Sequence, residues 1–283
     1  MNQVKTLQEK AVIVFLTIKK WSNRKYDKKV SKEVESNYHA FDAGRYNKIL
    51  INQDAVNSIS KIDGEARKFH YYNTLPWGDD GGRILPSKNY FDYMNGIDDL
   101  KRRFWIEVDK FLDSYDQYKS AAQSRLNGLF NESDYPDSYF LRRKYEFSYH
   151  VLPLPSGDDF RISLSESEIR KLSSNVEKRM METQEYAMKS LWQRLYDAIE
   201  HIVERLSDND ARFKDSLINN VVELTGILPK LNITNDQNLE RLRKDIEDKI
   251  CTVTPAAIRA NHGLRKHTAS YAEKVLKDMK GYF

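Results

Sequence analysis

One cysteine, Cys251, is all the thiol this 283-residue chain has. No intrachain disulfide is available and thiolate zinc clusters are excluded, so a reducing cytoplasm is the expected setting. Long hydrophobic runs are also missing. The most sustained one, Ala11–Ile18 (AVIVFLTI), falls far short of the roughly 20 residues a membrane helix needs. Lys19, Lys20 and Trp21 follow it, where a secretory signal would place small residues and a cleavage site. No G-x-x-x-x-G-K-[ST] and no G-x-G-x-x-G occurs, so the usual backbone cradles for nucleotide phosphates are lacking. The six histidines never fall at H-E-x-x-H spacing, and His262 and His267 read as solvated loop residues. With no nucleophile beside an obvious base, the expectation is a protein without its own catalysis, metal, cofactor or membrane span.

What is present suits a helical protein. Hydrophobic residues make up 40% and aromatics 12%, enough for a core, while 31% charged residues suit long solvent-flanked helices and an elongated architecture. The net charge of +4 is too small to announce a nucleic-acid binder, but it is unevenly spread. Residues 1–34 hold nine Lys/Arg against three Asp/Glu, and residues 255–283 hold six against two, so the ends are basic and the body acidic.

Along the chain, the β-branched run 12–18 reads as a buried strand, and Lys19–Lys32 as a basic loop entering a helix near Ser31. A second strand is expected over 45–51. Asp54–Tyr72 reads as a helix with Asp54 at its N-cap and Val56, Ile59, Ile62, Ala66 and Phe69 on one face. Apolar residues from Ile97 to Leu126 then recur at steps of three and four, predicting a long helix over 88–129 capped by Ser87. A second long helix, 165–206, opens with the capping-box pattern Ser165-Glu-Ser-Glu168. Strand-like residues at 145–152 and 159–163 flank a Pro/Gly/Asp turn and read as a hairpin. Shorter helices are expected over 211–229, 236–250 and 265–280. The predicted fold is mainly α with a small antiparallel β element. Two long antiparallel amphipathic helices, coiled-coil-like, are joined through the β-hairpin, and a C-terminal helical bundle follows. The domain expectation is 1–230, with 231–283 as a helical extension. A stripe this long needs cover, which leaves self-association or a partner helix open.

The segment Asn73–Pro86, NTLPWGDDGGRILP, concentrates three of 11 glycines and two of seven prolines around Asp79 and Asp80. As a cation site it is short of oxygen ligands, since hard divalent ions take about six. It reads better as a rigid turn: Pro76 fixes φ, Gly81 or Gly82 takes positive φ, and an aspartate bonds the local backbone. Trp77 and Arg83, with Asp79 and Asp80, are its interaction candidates. A second pair, Asp158 and Asp159, sits in the hairpin turn, and a hydrolase reading would need all four carboxylates on one metal. The basic segment Lys19, Lys20, Arg24, Lys25, Lys28 and Lys29, with Trp21 and Tyr26 interleaved, could grip phosphates while its rings stack on bases. The competing reading is a solvated face beside a buried strand, with Trp21 in the core.

Several blocks carry a resemblance: LTIKKWSNRK (Leu16–Lys25), AGRYNK (Ala43–Lys48), the LPW…R-x-LP block (Leu75–Pro86), GLFNESDYPD (Gly128–Asp137), LPLPSGDDFR (Leu152–Arg161) and LWQRLYD (Leu191–Asp197). With them the chain, over residues 10 to 230, resembles an uncharacterised family of phage and mobile-element proteins, domain-of-unknown-function family 3150. The resemblance implies gene neighbours, a MoxR-type AAA+ ATPase and a von Willebrand A-domain protein, sometimes near phage recombination genes. It assigns no catalytic residue. The expected function is a non-enzymatic phage adaptor or scaffold acting with those partners. The alternative is a nucleic-acid-binding accessory of phage recombination or replication.

Overall fold

A computed structural model describes residues 7–78, 81–157, 165–208 and 210–282. The architecture is mainly α with a small antiparallel sheet, as the periodicities predict. Its strands are β1 (Ala11–Lys19), β2 (Arg24–Tyr26), β3 (Asn47–Ile49), β4 (Leu75–Pro76), β5 (Arg83–Pro86) and β6 (Glu146–Pro153). Its helices are α1 (Lys28–Asn37), α2 (Asp54–Tyr72), α3 (Tyr90–Asp113), α4 (Tyr115–Leu126), α5 (Ser138–Arg142), α6 (Glu166–Ser207), α7 (Ser216–Leu231), α8 (Gln237–Ile246), α9 (Pro255–Ala260) and α10 (His262–Met279). One sheet has the order β4-β5-β1-β6, and β2 pairs with β3 separately.

The chain forms two compact units. Unit 1 comprises Met1–Phe15, Tyr71–Tyr93 and His150–Phe283; unit 2 comprises Leu16–His70 and Met94–Tyr149. This differs from the expected boundary near residue 230. The C-terminal helices pack into the same core as α6.

In unit 1, α6 runs for 42 residues and begins with the predicted capping box: Ser165 and Glu168 bond each other's backbone N–H. Its stripe is buried from Met180 onward, through Ala187, Leu191, Leu195, Ile202 and Leu206. Cover comes from α10 and α7, helices of the same unit. Trp192 stacks on Tyr282 at 4.6 Å and donates its indole N–H to Asp236 Oδ2 at 3.0 Å. Buried Arg265 of α10 donates to the carbonyls of Leu206, Arg205, Asp208 and Ala211, capping the end of α6 with a cation where the helix dipole is negative. Helix α7 continues two residues past Pro229, which was expected to end it. The ring removes one backbone donor, but buried Leu228 and Leu231 and the Asn232 N–H to Leu228 carbonyl bond hold the last turn.

The segment read as a turn-rich connector is itself a hairpin: Leu75 lies opposite Ile84 and Pro76 opposite Arg83. Strands of two and four residues offer too little alternation to be read from sequence. Gly81 adopts φ +81°, the left-handed conformation anticipated for Gly81 or Gly82. At Gly82 a Cβ would meet the Phe15 ring at 3.0 Å, so the backbone there lies close against β1.

The helix predicted over 88–129 is broken. A single 3-10 turn, Ser87–Asn89, precedes α3, and Ser114, at φ −98° and ψ 4°, separates α3 from α4. The break lies in the polar stretch Asp113-Ser-Tyr-Asp116, and Tyr115 then packs against Phe111 with ring centroids 5.9 Å apart. Asn127 at φ 46° ends α4. The apolar face of α3 (Ile97, Leu100, Phe104, Val108 and Phe111) is buried, as are Val56, Ile59 and Ile62 of α2; Phe104 meets Tyr145 and Phe147, and Phe111 meets Tyr145. The hairpin partner expected at 159–163 lies outside the described residues.

Candidate functional site

The β2–β3 hairpin interrupts the region expected to be a basic loop. Arg24 pairs with Ile49, Lys25 with Lys48 and Tyr26 with Asn47. All three β2 residues are exposed, so no alternation announced this strand. Two lysines directly across a ladder repel each other, and the fold answers by removing one of them. Lys48 is 3% exposed, and its ammonium reaches Asp134 at 2.8 Å, Asp27 at 3.4 Å and the Leu129 carbonyl at 2.6 Å. Burial works against that charge, but the two carboxylates outweigh it and hold the Lys48 pKa above its ordinary value. Asp27 also caps α1, accepting from the Lys29 and Val30 N–H groups. The Val30 N–H is the main cause of its lowered pKa; burial opposes it and Lys48 adds to it.

Further ties make the hairpin and α1 one rigid piece. Ser31 Oγ donates to the Asp27 carbonyl at 2.8 Å and accepts from the Tyr46 N–H at 3.0 Å. The buried Asn23 side chain, on a backbone at φ 54°, pairs with both the N–H and the carbonyl of Ile51. Arg125 and the Tyr135 hydroxyl donate to carbonyls of residues 49 and 50.

This frame presents an unusual surface. Between α1 and β3, left-handed backbone at His39, Asp42 and Gly44 turns the chain outward. Tyr38 and Phe41 stand 79% and 96% exposed, and Tyr26, Val34, Tyr46 and Ile49 are exposed nearby in sequence. These six are more than a third of the 16 large apolar side chains exposed among the described residues. Alongside opens a cavity of about 620 Å³ lined by Tyr26, Lys28, Lys29, Lys48, Phe130 and Asn131, among others.

The structure sorts the basic candidates. Lys19 is paired with Glu146 and Lys20 with Asp63, each at 2.7 Å. Lys29 has only a loose contact with Glu33 at 3.9 Å. Arg24, Lys25 and Lys28 are exposed and form no ion pair among the described residues, while Arg45 lies over the Tyr26 ring at 5.9 Å. Trp21 is half-buried against Phe111 and Tyr115, each at 6.2 Å. Sequence reading missed Tyr38, Phe41 and Arg45; their signal was an aromatic-rich run, Tyr38–Tyr46, that fits neither helical nor strand period.

The other candidates are placed differently. Trp77 lies in the core of unit 1, so it offers no exposed face. Arg83 donates to the Thr74 hydroxyl at 2.6 Å and carbonyl at 3.1 Å, and stacks over Tyr71 at 4.6 Å. Arg194 donates to the same carbonyl at 2.8 Å. Burial, then the neighbouring Arg194 charge, pulls the Arg83 pKa down to about 10. Asp79, Asp80, Asp158 and Asp159 lie outside the described residues. Among those described, no group of three His, Cys, Asp or Glu residues is arranged to hold a metal, and no helix is long and apolar enough to cross a membrane. Comparison with protein-family models, curated proteins and solved structures gives no significant match, so the family resemblance rests on the sequence blocks themselves.

Proposed function

We propose that this chain is a non-enzymatic adaptor or scaffold of phage type, acting in the host cytoplasm and presenting the α1–hairpin surface to a protein partner. The observation that carries this reading is the pair Tyr38 and Phe41, held in solvent beside a hairpin anchored by a buried Lys48. Aromatic side chains on a rigid support are the usual anchors of protein interfaces. The resemblance names the partner class: a MoxR-type AAA+ ATPase or its von Willebrand A-domain companion. The test is co-purification of the wild-type chain and of Tyr38→Ala/Phe41→Ala with both partners in nucleotide-free, ADP and ATP states. Retention of a partner by the wild type and at least tenfold weaker retention by the double variant are expected. Failure of the wild type to hold either partner in every state overturns the proposal, and self-association through the same face would appear as a concentration-dependent dimer.

A second reading, an accessory of phage recombination or replication that binds nucleic acid, is favoured by Arg24, Lys25 and Lys28, which form no ion pair among the described residues, and by Arg45 over the Tyr26 ring. It predicts binding to single-stranded DNA or RNA that weakens steeply with salt, and a smaller salt slope, by about one per phosphate contact removed, in Lys25→Glu/Lys28→Glu. No binding at low salt would end it.

A further inference from the structure

Two arginines from separate elements of unit 1, Arg83 on β5 and Arg194 on α6, converge on one backbone carbonyl. Arg83 Nη2 donates to the Thr74 oxygen at 3.1 Å and Arg194 Nη2 at 2.8 Å, so two half-buried cations share one acceptor. Guanidinium groups this close repel each other, and charges drawn out of water are ordinarily paired with an anion. Among the described residues neither arginine has a carboxylate partner, and the charges that act on them are tyrosines and, on Arg83, Arg194 itself. Arg83, with its pKa pulled down only to about 10, is still charged at neutral pH, so loss of a proton does not relieve the repulsion.

Tying the β4–β5 hairpin to α6 uses only part of what these side chains can donate. Arg83 spends Nε on the Thr74 hydroxyl and Nη2 on its carbonyl, while Arg194 spends Nη1 and Nη2 on the carbonyls of Tyr72 and Thr74. Arg83 Nη1 and Arg194 Nε make no hydrogen bond among the described residues, yet the buried polar atoms left without partners lie elsewhere, so both nitrogens keep surface open to solvent. Exposed rings stand beside them: the Arg83 guanidinium lies 4.6 Å over Tyr71, and Tyr186 acts on the same charge. A neutral amide could hold the same carbonyls without repulsion, so the structural tie does not account for two charges. One dianion does. A phosphate monoester carries about −1.5 to −2 charge at pH 7 and three acceptor oxygens, enough to meet both open edges at once, whereas a carboxylate brings a single charge.

We propose that Arg83 and Arg194 form a binding site for a phosphate group, taken either as the free ion or as a monoester whose organic part lies against Tyr71 and Tyr186. The site belongs to unit 1, whereas α1 and its hairpin belong to unit 2, so this inference and the adaptor reading can fail separately. The test is calorimetric titration of the full chain with inorganic phosphate, phenyl phosphate and acetate, using the wild type, Arg83→Lys, Arg194→Lys and Asp79→Asn/Asp80→Asn. The wild type is expected to bind phosphate about tenfold or more tightly than acetate. Each lysine variant keeps the charge but loses the planar fork, and should bind about tenfold or more weakly. Affinity for phenyl phosphate should rise with pH through about 6, where a monoester becomes a dianion, a profile that a purely structural arginine would not produce. Tighter binding of phenyl phosphate than of inorganic phosphate identifies a monoester as the source, and binding no tighter identifies the free ion. Absence of phosphate binding by the wild type at low salt overturns the site, whether or not the lysine variants fold. A flat pH profile, no preference over acetate, or equal affinity of the wild type and either folded lysine variant overturns it as well. Binding that appears only in Asp79→Asn/Asp80→Asn shows that the chain's own aspartates fill the site, and also overturns it.

Discussion

Lys48 holds the hairpin together through a charge that only its two carboxylates make tolerable. Replacing it with Met keeps the stem but leaves Asp27 and Asp134 facing each other without their cation. Breaking a buried pair costs about 3–5 kcal/mol, and the lower end applies here because both carboxylates keep some solvent. Lys48→Met is therefore expected to lower unfolding stability by about 3 kcal/mol in urea titration. The pH dependence follows from the shift directions. Asp27 is depressed from its ordinary 3.8, so its contribution is present above that value and fades as pH falls through the folded pKa. Lys48 is raised from 10.5, so its contribution is full below that value and is lost as pH rises through the folded pKa. Protection factors of the hairpin amides, taken relative to the exchange rate of the free peptide at each pH, should be highest between these limits and fall below about pH 4, a fall that Lys48→Met should reduce but not abolish, because the Val30 N–H is the main cause of the Asp27 shift.

At the level of elements, the packing of α3 on α2 depends on one missing side chain. A Cβ at Gly96 would sit 2.2 Å from the tip of the Phe69 ring, so any larger residue there must displace that ring. Gly96→Ala improves helix propensity by up to about 1 kcal/mol but forces the ring aside, and overpacking costs about 1–3 kcal/mol. The expected net loss is about 1 kcal/mol, and Gly96→Ala/Phe69→Leu should recover part of it in thermal melts. Equal melting of Gly96→Ala and wild type would show that the ring rotates away freely. Much of this level was legible beforehand. The α2 face, the Ser165 capping box, β1 and the α6 stripe each follow from a period or a cap a few residues long. The strands β2, β4 and β5 were not, because two to four residues carry no usable period. The break at Ser114 was hidden because the apolar spacing continues across it.

For the whole molecule, each unit gathers distant parts of the chain: three segments for unit 1, two for unit 2. A chain ending at residue 230 would lose Ile258, Ala269, Ala272, Val275 and Met279 from the unit 1 core, the Trp192–Tyr282 stack, and the Arg265 cap on α6. It is expected to bind a hydrophobic dye and to lose cooperative unfolding of unit 1, whereas an independent C-terminal extension would leave the melt unchanged. The sequence by itself determined the helical class, the caps and the apolar faces, because these depend on neighbours a few residues apart. Only the tertiary structure decided that Lys19 and Lys20 are paired with carboxylates while Arg24, Lys25 and Lys28 form no ion pair among the described residues, that Lys48 is buried between Asp27 and Asp134, and that Trp21 and Tyr145 line one cavity. Those outcomes join residues up to more than a hundred positions apart, where neither charge nor periodicity along the chain records which side chains will meet.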